Sequence, residues 1–114
     1  MARQNNRQRV YRVQSNIDTG APLQLFVNAD ERSVIFLRQL MAEGPVRFVF
    51  RKEDGEITIR TGTLQPDIIA AAYHFRDTSQ GRNCNPRYLR YWDISRGGWR
   101  TVYAERLIGY FEAN

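Results

Sequence analysis

The chain is poor in the residues that staple small proteins or hold metals. It has one cysteine, Cys84, and one histidine, His74. A lone cysteine excludes an internal disulfide framework and any multi-cysteine metal site. A lone histidine excludes zinc fingers and His-rich metal sites, and leaves Cys84 without a partner to activate it as a nucleophile, so Cys84 reads as an incidental reduced thiol. No Ser-His-Asp, Cys-His or phosphate-loop pattern is present, and the acids Glu53, Asp54 and Glu56 cluster where a hairpin tip would solvate them. A non-enzymatic protein with no cofactor and no metal is expected. No apolar run approaches the roughly 20 residues that a membrane helix requires, and the polar N-terminus lacks the apolar stretch of a secretory signal. The expected setting is therefore soluble and cytoplasmic.

Lysine is also nearly absent: Lys52 is the only one, and 16 of the 17 basic residues are arginine. Arginine binds phosphate bidentately and stacks on aromatic rings, which suits a nucleic-acid surface better than a generic solubility charge. With 114 residues, 42% of them hydrophobic and 12% aromatic, the chain has material for one core and is not compositionally disordered. Its net charge of +5 is unevenly spread. Residues 1–12 carry Arg3, Arg7, Arg9 and Arg12 with no acid, and residues 76–100 carry Arg76, Arg82, Arg87, Arg90, Arg96 and Arg100 against Asp77 and Asp93. The intervening stretch, residues 13–75, is slightly acidic. Residues 1–9 are expected to be a flexible basic arm, either solvated or tracking a phosphate backbone or a neighbouring subunit.

From residue 10 onward a single domain is expected. Val10, Tyr11 and Val13 begin an extended segment and Leu23 to Val27 a second one, which pair as a possible hairpin over residues 10–28. Asn28 followed by Glu31 resembles a capping box and Gly44-Pro45 is a stop, so a helix is predicted over residues 29–43. Its apolar face is Ser33, Val34, Phe36, Leu37, Leu40 and Met41; Glu31, Arg32, Arg38, Gln39 and Glu43 fall opposite, with Ile35 among them as an exposed singleton or a partner contact.

At Val46 the period changes from 3.6 to 2. Asp54-Gly55 reads as a two-residue hairpin turn, which sets Phe50 opposite Ile59, Phe48 opposite Thr61, Arg51 opposite Thr58 and Val49 opposite Arg60. One face is then core, and the other gathers Arg47, Arg51 and Arg60. Ile68 to Phe75 reads as a helical turn, opened by Pro66 at its first position, followed by extended chain. Residues 76–86 form a long exposed loop. A second hairpin runs from Arg87 to Ile94 and Trp99 to Tyr103 around Ser95-Arg96-Gly97-Gly98. That loop sets Ile94 opposite Trp99, Trp92 opposite Thr101, and Asp93 opposite Arg100 as a cross-strand ion pair. Leu89, Tyr91 and Val102 share one face and Tyr88, Arg90, Trp92, Ile94, Trp99 and Tyr103 the other, with periodicity silent on which is core. Ala104-Glu105-Arg106 fits one 3₁₀ turn, and Leu107 to Phe111 a last strand.

A helix, two hairpins, a one-turn link and a short final strand is the order of an SH3-like barrel in its Sm-like form. The fold class expected is mainly β with one α-helix: a small barrel over residues 46–112 preceded by the N-terminal helix and the basic arm. The stretches V-R-F-V-F-R-K-E-D-G-E-I-T-I-R-T-G-T-L-Q-P, R-Y-L-R-Y-W-D-I-S-R-G-G-W-R-T-V-Y and A-E-R-L-I resemble the WYL-type domain, in particular the small stand-alone WYL-like proteins of bacteria and their phages. The Trp-Tyr-Leu signature falls on Arg87-Tyr88-Leu89, so its tryptophan is replaced here. The downstream Trp-Arg and Arg-Ile elements fall on Trp99-Arg100-Thr101-Val102 and Arg106-Leu107-Ile108, with one residue inserted between the last two. The resemblance implies a regulatory, ligand-sensing or nucleic-acid-binding module in a bacterial or phage-infected cell, and points to Tyr88, Arg100 and Arg106. No second helix is seen that would build a helix-turn-helix.

These readings lead to a module that binds single-stranded or structured nucleic acid, DNA or RNA. Arg47, Arg51, Arg60, Arg90 and Arg100 are the expected phosphate contacts and Tyr88 and Trp92 the expected stacking rings, with core packing the competing role for each ring. Two alternatives stand beside it. One is an accessory protein of a phage or mobile element that acts through a protein partner or a homo-oligomer, using exposed strand edges. The other is a sensor of an anionic nucleotide.

Overall fold

The computed structural model describes residues 10–13, 22–72 and 85–112. The arm at residues 1–9, His74, Cys84 and most of the expected loop at residues 76–86 lie outside the described residues. The elements are strands β1 (Val10–Val13) and β2 (Leu23–Phe26), helix α1 (Glu31–Glu43), strands β3 (Val46–Arg51) and β4 (Ile57–Thr63), helix α2 (Pro66–Ala72), strands β5 (Tyr88–Asp93) and β6 (Gly98–Tyr103), a 3₁₀ turn (Ala104–Arg106) and strand β7 (Leu107–Phe111). The strands form one seven-stranded antiparallel sheet in the order β1-β2-β7-β3-β4-β5-β6. Among the described residues no helix is long and apolar enough to cross a membrane.

Helix α1 starts two residues later than its sequence suggests, because the cap is Asp30 and not Asn28. Asp30 is extended, its carboxylate accepts the Arg32 amide at 2.9 Å, and its own amide donates to Ser33 Oγ at 3.0 Å. This reciprocal pair satisfies donors that the first turn would otherwise leave unpaired. Val34, Leu37 and Met41 are fully buried and Phe36 and Leu40 pack beside them, while Ile35 is half-buried. At the other end of α1 the Met41 carbonyl accepts from Thr63 Oγ1 and the Leu64 amide at 3.1 and 2.9 Å, which ties the helix to the end of β4. Arg38, expected on the solvent face, reaches back to the Asn85 and Tyr88 carbonyls at 2.7 and 3.2 Å and straps the start of β5 to the helix.

The core lies between α1 and the concave side of the sheet and contains Phe26, Phe48, Leu89, Tyr91, Val102 and Leu107. That answers which face of the second hairpin is core: Leu89, Tyr91 and Val102 are 0%, 2% and 3% exposed.

Both hairpin registers differ from expectation. In the first, three residues form the loop: Gly55 donates to the Lys52 carbonyl and Lys52 to the Glu56 carbonyl, both at 2.8 Å, with Gly55 at φ 94°. This is a type I turn with a bulged left-handed glycine, which shifts pairing by one residue relative to a two-residue turn. Phe48 therefore faces Arg60 and Phe50 faces Thr58, while Val49 faces Ile59 and Arg51 faces Ile57. A one-residue slip exchanges the faces of a strand, so Ile57 and Ile59 are exposed and Thr58 is buried. In the second hairpin the loop is Ile94 to Gly97, with Gly97 at φ 65° donating to the Asp93 carbonyl at 2.8 Å. Trp92 then faces Trp99, Arg90 faces Thr101 and Asp93 faces Gly98. This slip is by two residues and leaves the faces unchanged.

Candidate functional site

Three settings hold the arginines and aromatic rings. The first is the convex face of β5 and β6, where Tyr88 and Tyr103 meet edge-on at 5.9 Å and Trp92 and Trp99 at 5.6 Å. Cross-strand pairing brings these rings together. Arg90 donates to Thr101 Oγ1 at 3.2 Å and lies 5.6 Å from the Trp99 ring centre. Trp92 is only 3% exposed, so its ring belongs to packing and is not offered to a ligand, whereas Tyr103 is 50% exposed. Trp99 buries its indole N–H with no hydrogen-bond partner among the described residues.

The second setting surrounds Asp93, a fully buried carboxylate at the end of β5. One oxygen accepts the Arg96 amide at 3.1 Å, fastening the turn. The other lies 3.8 Å from Arg60 Nε and 3.9 Å from an Arg96 terminal nitrogen, with no hydrogen-bond partner among the described residues. Arg60 thus leaves the group in which the sequence places it: it lies on the opposite face of the hairpin from Arg47 and Arg51, and Asp93 offsets its charge. The expected Asp93–Arg100 pair is replaced by these two arginines, because the register puts Arg100 opposite Tyr91. Arg100 is exposed and donates to the Trp99 carbonyl at 3.2 Å. Burial, reinforced by the charge of Asp93, pushes the Tyr91 hydroxyl up to about 12.

The third setting is a pair of clefts that share two walls. One, of about 460 Å³, opens between β6 and the β3–β4 turn and is lined by Phe50, Arg51, Lys52, Val102, Tyr103 and Arg106 among others. The other, of about 400 Å³, lies between the β2–α1 link and the start of β7 and is lined by Phe26, Val27, Ala29, Arg51, Glu105 and Arg106 among others. Arg51 and Arg106 line both, and Arg51 also donates to the Gly55 carbonyl at 3.2 Å. The end of β3 aims the first of these arginines and the 3₁₀ turn the second. Arg47 stands apart, with its guanidinium 4.8 Å from the Phe111 ring centre.

The expected site residues are therefore not one surface. Arg51 and Arg106 line both clefts, and Tyr88 and Arg90 adjoin the larger one through Tyr103 and Thr101 respectively. Arg47, Arg60, Trp92 and Arg100 sit elsewhere. The sequence reading leaves out Tyr103 and Lys52 as cleft walls. Tyr103 was discoverable, since it alternates with Trp99 on the face of Tyr88. Lys52 was not, because the three-residue loop decides its direction. Among the described residues no group of His, Cys, Asp and Glu could hold a metal ion.

Comparison with curated proteins and with solved structures yields no match. Residues 34–108 match the family described as WYL_2, with the Sm-like SH3 beta-barrel fold. The match takes in most of α1, both long hairpins, the 3₁₀ turn and the start of β7, and with them both shared cleft arginines, so the chain belongs to the WYL_2 family of Sm-like SH3 β-barrel domains.

Proposed function

We propose that the protein is a non-enzymatic binding module that takes single-stranded nucleic acid along the two joined clefts. Domains of this family are generally non-catalytic ligand-binding modules. The observation that carries the reading is the sharing of Arg51 and Arg106 by both clefts, beside the half-exposed ring of Tyr103. Two arginines that each line both open troughs suit a backbone phosphate flanked by two nucleotides, and an exposed tyrosine suits stacking on a base. Lys52, paired with Glu56 at 3.4 Å, and the acids Glu53 and Asp54 line the larger trough as well, so its positive charge centres on Arg51 and Arg106. Arg90 and Tyr88 extend the same side.

The test is fluorescence anisotropy with labelled oligo-dT and oligo-U at low and moderate salt. Binding is expected at low salt and falls steeply as salt rises; Arg51→Ala and Arg106→Ala each lower the slope by roughly 0.7 per lost phosphate contact. Tyr103→Ala weakens binding by about 1–3 kcal/mol per base unstacked. Arg32→Ala, at the start of α1, leaves binding unchanged. Absence of binding at low salt overturns the reading.

A second reading, an anionic nucleotide as effector, is favoured by one observation. Cleft volumes of about 400 and 460 Å³ lie in the small-ligand range. A nucleotide at 100 times its dissociation constant adds about 2.7 kcal/mol of stability. Thermal-shift titration of mononucleotides would reveal it, with Arg51→Ala and Arg106→Ala abolishing the shift.

A further inference from the structure

Strand β6 borders the sheet, with β5 as its only neighbour among the described strands. The bond from the Ala104 amide to the Arg87 carbonyl, 2.9 Å, marks that pair as hydrogen-bonded. Hydrogen-bonded and non-bonded pairs alternate along an antiparallel ladder. Leu89–Val102, Tyr91–Arg100 and Asp93–Gly98 are therefore bonded pairs, and Tyr88–Tyr103, Arg90–Thr101 and Trp92–Trp99 are not. It follows that Trp99, Thr101 and Tyr103 turn their backbone N–H and C=O groups away from β5, out along the sheet edge. The Trp99 carbonyl, met by the Arg100 guanidinium, conforms to this direction.

That edge is self-complementary. An antiparallel copy of β6 placed with Thr101 on a two-fold axis sets Thr101 against Thr101 and Trp99 against Tyr103 on each side, all with outward backbone groups. On the convex face this register gives a Thr–Thr pair flanked by two aromatic pairs, both favourable cross-strand combinations. On the concave face Arg100 lies opposite Val102 and not opposite its own copy, so like charges do not face each other. A register two residues away would set Arg100 against Arg100. Head-to-tail pairing of β6 with β7 of the next copy has no acceptor. The outer edge of β7 is held by β2 through Leu23–Phe111, Gln24–Tyr110 and Leu25–Gly109.

We propose that the protein forms a two-fold dimer in which β6 strands of two copies pair antiparallel about Thr101. The two sheets become continuous through an isologous interface. Thr101 and Tyr103 also line the larger cleft, so the paired edge borders that cleft in each copy.

Sedimentation velocity across a concentration series, paired with amide exchange by NMR, tests this. The expected result is a monomer–dimer equilibrium, with exchange of the Trp99, Thr101 and Tyr103 amides slowing as concentration rises. The Leu89 and Tyr91 amides, bonded within each copy, stay protected throughout. Thr101→Arg puts like charges across the axis at an exposed position and should raise the dissociation constant about tenfold or more. Protection of Leu89 and Tyr91 in that variant shows that it still folds. A chain that stays monomeric at every concentration overturns the proposal, as does a dimer unaffected by Thr101→Arg or one that leaves the three edge amides unprotected.

Discussion

Tyr91 joins the packing of this small core to its electrostatics in one side chain. Its ring packs edge-on against Phe48 at 5.0 Å, and its hydroxyl is pushed up to about 12 by burial and by Asp93. An exposed tyrosine titrates near about 10. The folded chain therefore binds this proton more tightly than the unfolded one. The stabilisation is complete below about pH 10 and is lost as pH rises through the folded value of about 12. Tyr110 shifts in the same direction, through burial first and then the charge of Glu112. Melting temperatures recorded between roughly pH 9 and pH 12 should fall more steeply in the wild type than in Tyr91→Phe; parallel curves would show that Tyr91 carries no such linkage. The same ring explains Gly62, where a Cβ would overlap it. Gly62→Ala should cost about 1–3 kcal/mol in urea denaturation, as overpacked cores do. Neither effect is legible in the sequence. Tyr91 is visibly on the side of Leu89 and Val102, but its neighbours depend on how β4 approaches β5, a contact between segments about thirty residues apart.

At the scale of elements, turn chemistry decides what the local sequence leaves open. Asp54-Gly55 is a strong hairpin signal, yet the same dipeptide serves a two-residue turn and a type I turn with a bulge. The residues allow both, and the choice moved Arg60, Ile57 and Ile59 to the opposite face from that expected. The second hairpin slipped by two residues, so its faces survived while its partners changed and Asp93 exchanged Arg100 for Arg60 and Arg96. Helix α1 was legible because a 3.6-residue period over more than three turns identifies a helix without tertiary help. Its cap was misplaced by two residues since Asn28 and Asp30 are both competent N-caps. The β2–β7 contact supplies a prediction of its own. A Cβ on Gly109 would overlap the Gln24 carbonyl, so Gly109→Ala should push β2 off the outer edge of β7. Amide exchange is expected to accelerate in β1 and β2 while β3 to β6 keep their protection; uniform protection across the sheet would show that β7 tolerates the side chain.

For the molecule as a whole, the question is where an arginine-rich surplus of charge acts. Asp93 engages Arg60 and Arg96, Phe111 lies under Arg47, and Thr101 and Trp99 hold Arg90. Exposed ion pairs such as Arg32–Asp30 contribute little to stability. Arg51 and Arg106 differ in lining open space on two sides. Doubly substituted Arg51→Ala/Arg106→Ala protein should therefore keep its melting temperature within a few degrees while losing most oligonucleotide affinity. Equal losses from Arg47→Ala would move the binding surface to the outer face of β3.

Composition and periodicity alone determined that this chain is basic and mainly β with a long amphipathic helix, and that its single cysteine can close no internal disulfide. They also determined the order of its elements, because apolar spacing and turn residues are local properties of the chain. Strand register, the companions of each arginine and the opening of two clefts around Arg51 and Arg106 were decided only in three dimensions. A one-residue choice in a turn exchanges the faces of a strand, and a buried carboxylate can engage an arginine far from it in sequence, as Asp93 does Arg60.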